Sequence, residues 1–141
     1  DDDREFFQMV EQRLSLPATL VIEEHCTGSR DFWNEVVPQE DRVMAFAARY
    51  LDRPSCPSKD WPARQRFDHI AELVKDYGVE GAIVMQQKFC DPHELDIPAL
   101  TKFFKEELDI PTYFLEFDIT VPAGQFAVRV EAFLETMVDL F

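Results

Sequence analysis

Two short apolar runs, GAIVMQQ at 81–87 and PTYFLEFD at 111–118, most constrain what this chain can fold into. Each has strand length, is rich in β-formers and is followed by a helical pattern. A third run, PATLVIEE at 17–24, has the same character. Phe6, Phe7, Val10 and Leu14 recur at helical spacing within 2–14, and Val43, Phe46, Ala47 and Tyr50 make a stripe within 41–52. Phe67, Ile70, Val74 and Tyr77 share one face of 63–78, which stops at Gly78. RPSCPSKDWP at 53–62 holds three prolines and reads as a loop. Pro98 is tolerated in a first helical turn, which predicts a helix over about 97–108. A last helix starts near Ala123, its apolar face formed by Phe126, Val130, Phe133, Leu134, Met137 and Phe141. The order α-β-α-α-β-α-β-α implies a parallel sheet covered by helices on both faces. The expected fold is a doubly wound, three-layer α/β domain with a short sheet of three or four strands.

The length of 141 residues suits a single α/β domain over 1–141. The chain opens DDDRE, not at a methionine, which reads as a piece of a longer two-domain protein. Its 28 acidic side chains against 14 basic ones give a net charge of −14. Such a surface repels phosphate backbones and anionic lipid, so neither nucleic acid nor a membrane is an expected partner. No run has the length of a membrane helix, and no signal-peptide pattern opens the chain. Cys26, Cys56 and Cys90 are odd in number and widely spaced, which argues against a disulfide framework and for a reducing, cytoplasmic setting.

Ligands of open parallel sheets gather beyond the carboxyl ends of the strands. EEHCTGSRDFW follows the first expected strand and KFCDPH the second, so Cys26 and Cys90 are expected on one rim, Cys90 between a strand end and a helix start. EFDITVPAGQF follows the third. Three chemistries fit a pair of rim thiols. Zinc would take Cys26, Cys90, His25 and His93, although no compact ligand pair such as C-x-x-C is present. A nucleophilic Cys90 would use His93, three residues on, as base, and a helix start would lower its thiol pKa. An iron–sulfur cluster accepts thiolates from separate loops, and an incomplete set leaves one iron open. Arg30, after the Gly28-Ser29 turn, is a candidate for a phosphate or carboxylate, with a surface salt bridge as the plainer role. Glu116 and Asp118 alternate at a strand end and are expected on opposite faces, a poor acid/base pair. His69, in mid-helix, carries no assignment, and no G-x-G-x-x-G is present.

The run YGVEGAIVMQQKFCDPHELDIPALTKFFKEELDIPTYFLEFDITVPAGQFAVRVEAFLE resembles the C-terminal part of 2-hydroxyacyl-CoA dehydratase and benzoyl-CoA reductase subunits. The K-F-C-D-P motif and the later R-x-E-A-F-L-E carry that resemblance together. EEHCTGSRDFW resembles the family's C-T-G-x-R segment and RYLDRPSCPSKD its R-P-x-C-P loop. The resemblance implies a 4Fe–4S cluster held by an incomplete set of cysteines, with Cys90 and Cys26 as ligands, the role of Cys56 open, and the remaining ligands outside this chain. It further implies a homologous partner subunit and an ATP-hydrolysing iron–sulfur activator. That activator delivers a low-potential electron to an acyl-CoA thioester, either to form a ketyl radical or to reduce an aromatic ring. The look of QKFCDPHELDIP and LEFDITVPAGQFAVRVEAFLE leans towards the benzoyl-CoA reductase branch, with the hydroxyacyl-CoA dehydratase as alternative. A cluster-free interaction domain is the reading from another class. Glu116 and His93 remain further candidates at the site.

Overall fold

A computed structural model describes residues 4–16, 18–56, 60 and 62–138. The chain divides into two compact units, Asp1–Val21 with Tyr77–Phe141, and Ile22–Asp76.

The first unit is built on a two-stranded parallel sheet, β1 (Ala82–Gln87) and β2 (Thr112–Phe117), paired in register from Ala82 opposite Thr112 to Gln87 opposite Phe117. Parallel strands need a long crossover, and helix α5 (Asp91–Glu106) supplies it. Side chains alternate across the sheet. Ile83, Met85, Tyr113, Leu115 and Phe117 face one apolar cluster. That cluster is completed by Phe6, Met9, Val10 and Leu14 from the N-terminal helix, and by Phe126, Val130 and Leu134 from the last helix, α6 (Ala123–Val138). The N-terminal helix begins as α1 (Arg4–Gln8) and widens into a π-helical turn, Met9–Arg13. Its exit is tied to α6 where Ser15 N and Oγ donate to the Glu131 carboxylate. Helix α5 packs against both strands and buries Leu100, Phe103 and Phe104, so helices cover the sheet on two sides.

The second unit holds α2 (Ser29–Phe32), α3 (Arg42–Leu51) and α4 (Gln65–Tyr77). Asp41 caps α3, its Oδ1 accepting from Val43 N and Met44 N at 2.9 and 3.1 Å. The buried side chains of this unit are largely polar: Ser29, Arg30, Asp60 and Arg66 beside Ala45, Ile70 and Leu73.

The α/β class and the parallel sheet with covering helices agree with the sequence reading, and three elements differ. Residues 18–24 form no helix and join no ladder. Ala18 N donates to Val10 O and Leu20 N to Glu11 Oε1, so the N-terminal helix takes the bonds a neighbouring strand would need. The sheet therefore has two strands among the described residues, not three or four. Helix α5 starts six residues earlier than expected, because Pro92 rather than Pro98 occupies its first turn, leaving Pro98 in the interior. The stripe of α3 faces outward, with Val43, Phe46 and Tyr50 exposed and only Ala45 buried. Pro17, which opens the expected first strand, and Phe141 of the expected last face lie outside the described residues. Among the described residues no helix is long and apolar enough to cross a membrane.

Leu115 is fully buried between the sheet and α6. Leu115→Ala is expected to lower unfolding stability by about 2–5 kcal/mol in urea titrations. Val128→Ala on the exposed side of α6 should change it by less than about 0.5 kcal/mol.

Candidate functional site

Cys90 stands at the junction between β1 and α5. Its amide donates to Gln87 O at 3.2 Å, closing a four-residue turn, and its own carbonyl accepts from His93 N and Glu94 N at 3.0 and 2.9 Å. Cys90 is thus the N-cap of a sixteen-residue helix, yet its side chain makes no capping bond, which leaves the half-buried thiol for other use. Lys88 N donates to Phe117 O at 2.8 Å, so the K-F-C-D-P turn is held against the end of β2. Lys88 Nζ lies 4.0 Å from Glu116 Oε1 and 3.7 Å from Asp118 Oδ2. The expectation of opposite faces for these carboxylates is corrected here. Residues two apart on a strand share a face, and one ammonium reaches both. This cation already neutralises them in part, which suits a surface ion pair better than a proton-transfer dyad. His93 is half-buried in the first turn of α5.

Cys26 and Cys56 belong to the second unit. The Cys26 loop is wrapped around Glu23. Glu23 Oε1 accepts from Ser29 N at 2.6 Å, and Ser29 Oγ donates to Glu23 O at 3.0 Å. His25 Nδ1 accepts from Thr27 N at 3.3 Å, and Nε2 lies 2.8 Å from Glu23 Oε2. Both ring nitrogens are therefore engaged inside the loop, which argues against His25 as a metal ligand. Gly28 is favoured by its φ of +69°, and a Cβ there would also stand 2.7 Å from Glu23 Oε1, the tip of a side chain that Ser29 N holds in place. The outcome is an exposed Cys26 on a tightly bonded loop.

Arginines tie this loop to the R-P-x-C-P segment. Arg30 is buried, donating from Nε to Pro54 O at 2.6 Å and from Nη1 to Cys26 O at 3.2 Å. One guanidinium thus bridges the carbonyl of Cys26 to a carbonyl two residues before Cys56. Arg30 is neither an open anion site nor a surface salt bridge. It positions two cysteine-bearing loops. Arg49 Nε donates to Asn34 O at 3.1 Å and Arg49 Nη2 to Asp31 O, while Arg53 Nη1 pairs with Asp31 Oδ1 at 2.8 Å. Beneath them lies an ion pair, Arg66 Nε to both Glu24 oxygens at 2.9 and 3.0 Å and Nη2 to Oε2 at 2.6 Å, with side chains 3% and 13% exposed. Asp60 Oδ2 accepts from Arg66 N at 3.0 Å. This polar frame was not legible in the sequence. The hint lay in five arginines within 42–66 and the acids at 23, 24 and 31.

Beyond the frame, the His69 ring meets the Trp33 ring edge-on at 5.2 Å. Among the described residues no three His, Cys, Asp or Glu side chains gather closely enough to share a metal ion. The thiols are delivered by separate loops, a donor type that fits iron better than the borderline-hard ions served by carboxylates.

The family description "2-hydroxyglutaryl-CoA dehydratase, D-component" matches residues 1–137. The chain belongs to this family. It is similar to the (R)-phenyllactyl-CoA dehydratase beta subunit of Clostridium sporogenes, at 30% identity over 106 residues, 74% of this chain and 28% of that one. A putative dehydratase subunit of Escherichia coli, YjiM, is 29% identical over 116 residues, 81% of this chain and 30% of that one. The beta subunit of (R)-2-hydroxyglutaryl-CoA dehydratase from Acidaminococcus fermentans is 38% identical over 73 residues, 51% of this chain and 19% of that one. The chain spans under a third of the length of these relatives.

Two outcomes are expected. Gly28→Ala should cost about 1–3 kcal/mol in chemical unfolding, from the forced backbone conformation and the contact with Glu23. His69 should titrate below its ordinary value of 6.5, because burial outweighs the attraction of Glu24 and Glu72, and Arg66 adds to the lowering. Protonation is then easier in the unfolded chain, so stability is full above pH 6.5, falls as the pH drops through 6.5, and levels off below the folded value. An NMR titration of the ring gives the midpoint, and His69→Gln should remove this part of the acid sensitivity.

Proposed function

We propose that this chain is the cluster-bearing part of a 2-hydroxyacyl-CoA dehydratase subunit that eliminates water from a 2-hydroxyacyl-CoA to give a 2-enoyl-CoA. The observation that carries the reading is the family membership over residues 1–137, together with relatives whose names are those of dehydratase subunits. Those names favour dehydration over the ring reduction towards which the motif similarity leaned.

The reaction sets a demanding requirement. The hydrogen lost from C3 of a 2-hydroxyacyl thioester is not acidic, since the carbonyl activates C2. A 4Fe–4S cluster held by Cys90 and Cys26, with further ligands outside this chain, would supply the low-potential electron that activates the thioester carbonyl for loss of hydroxide and of the C3 proton. The electron returns at the end, so the overall change is loss of water without net oxidation.

Cys90 and Cys26 are the proposed ligands, with Cys56 as a further candidate. Cys90 brings a thiol at a helix start, where its side chain makes no capping bond. Cys26 is exposed on a loop that Glu23 and Gly28 hold in one shape, and Arg30 fixes that loop to the carbonyl of Pro54, close in sequence to Cys56. Completion of the ligand set by residues outside this chain, a homologous partner subunit and an ATP-hydrolysing activator belong to the same proposal.

The test uses the full-length subunit with its partner, purified without oxygen. Wild type should carry iron and acid-labile sulfide with broad visible absorption, and Cys90→Ser and Cys26→Ser should each lose most of it. With activator, ATP and a set of (R)-2-hydroxyacyl-CoA esters, wild type should release the enoyl-CoA. Iron-free protein after anaerobic reconstitution would give the chain an interaction role. Consumption of benzoyl-CoA in place of hydroxyacyl-CoA would return it to the reductase branch.

A further inference from the structure

The turn that delivers Cys90 contains a residue that its geometry disfavours. Gln87 to Cys90 form a type II turn, closed by Cys90 N to Gln87 O at 3.2 Å, and Phe89 at its third position has φ +66°. Glycine is the ordinary residue there, because a Cβ in the left-handed region costs about 1–2 kcal/mol. A bulky aromatic usually accepts such strain in exchange for burial. Phe89 obtains none, for it is 87% exposed. Its amide is held by Glu94 Oε1 at 3.3 Å, so the turn is fixed and the ring stands out from it.

Two more exposed apolar side chains share this rim. Ile119, 88% exposed, follows Asp118 just beyond β2, and Leu95, 78% exposed, lies in α5 next to Glu94. Lys88 N to Phe117 O joins the two strand ends that carry Phe89 and Ile119. Carboxylates border the group, with Asp91 and Glu94 exposed and Asp118, which shares Lys88 with Glu116, 64% exposed, so acids outnumber the one cation there.

We propose that Phe89, with Leu95 and Ile119, is the centre of a protein-docking surface, and that its occupant presents an apolar socket edged by lysine or arginine. Hydrophobic anchors ringed by charge are the common anatomy of such interfaces, with an aromatic at the centre carrying much of the energy. The charge selects the occupant. At −14 net, a second copy of this chain would bring carboxylates against carboxylates, whereas a basic rim complements them. The proposal stands apart from the dehydratase reading, since iron content tests that reading and contact at Phe89 tests this one.

The experiment places a photoreactive benzoylphenylalanine at position 89 of the full-length protein in the cells that make it, with Val128, 73% exposed on α6, as control position. Irradiation should give one defined adduct at 89, and mass spectrometry should map it to a peptide with apolar residues flanked by Lys or Arg. Its yield should fall about fivefold or more when Asp91, Glu94 and Asp118 become amides. An adduct no stronger than at Val128, one made only with a second copy, or one mapped to an acidic peptide overturns the proposal. Phe89→Gly separates docking from folding. It should keep the unfolding midpoint at or above wild type, and a fall of more than about 4 °C would assign the ring to the chain's own packing and overturn the proposal as well.

Discussion

The Arg66–Glu24 pair is the interaction on which the cysteine-bearing unit depends. Its two charges lie almost out of water, and each is satisfied by a forked set of short bonds. Removing either partner would take the forked contact away from a charge that is almost out of water, at a cost of about 3–5 kcal/mol. The pair joins α4 to the segment just before the Cys26 loop. From there, the other arginines carry the same logic upward: Arg30, Arg49 and Arg53 each bind carbonyls or a carboxylate of chain that has no ladder of its own. Between Ile22 and Asp76 guanidinium groups do what β-pairing does elsewhere.

The sheet unit solves the same problem by a different route. Its strands pair with each other over six residues, and the apolar side chains of the N-terminal helix, β2 and α6 close around Leu115 and Val130. Backbone and side chains are satisfied together, which frees the rim from structural duty. The rim then accommodates a proline-started helix, a thiol at its N-cap and a strained aromatic. Strain of that kind persists where the surroundings over-determine the backbone, and here Gln87, Phe117 and Glu94 all hold the turn.

The elements most legible in the sequence were those with a clear period. GAIVMQQ, PTYFLEFD and the α6 pattern were found within a residue or so, and the helix of 63–78 within two. Failures came where side chains displaced backbone pairing. PATLVIEE has strand composition, but Val10 O and Glu11 take two of its amides. The α5 start was missed because Asp91-Pro92 and Pro98 offer two competing first turns, and only the bonds to the Cys90 carbonyl choose between them. Arg30 could not be read at all, since an arginine in a loop looks the same in sequence whether it faces solvent or two buried carbonyls.

By itself the sequence determined the α/β class, the two paired strands, the placement of Cys90 between a strand and a helix, and the family to which those motifs belong. These follow from local periodicity and from short contiguous motifs, which need no knowledge of distant partners. Only the tertiary structure decided that the Cys26 loop is clamped by Glu23 and Arg30 and follows no paired strand, and that Glu116 and Asp118 share Lys88. It likewise decided that Phe89 stands strained and exposed beside the thiol. Each of these depends on which remote group satisfies a charge or a backbone bond, and hydrogen-bond partners many residues apart leave no period to read.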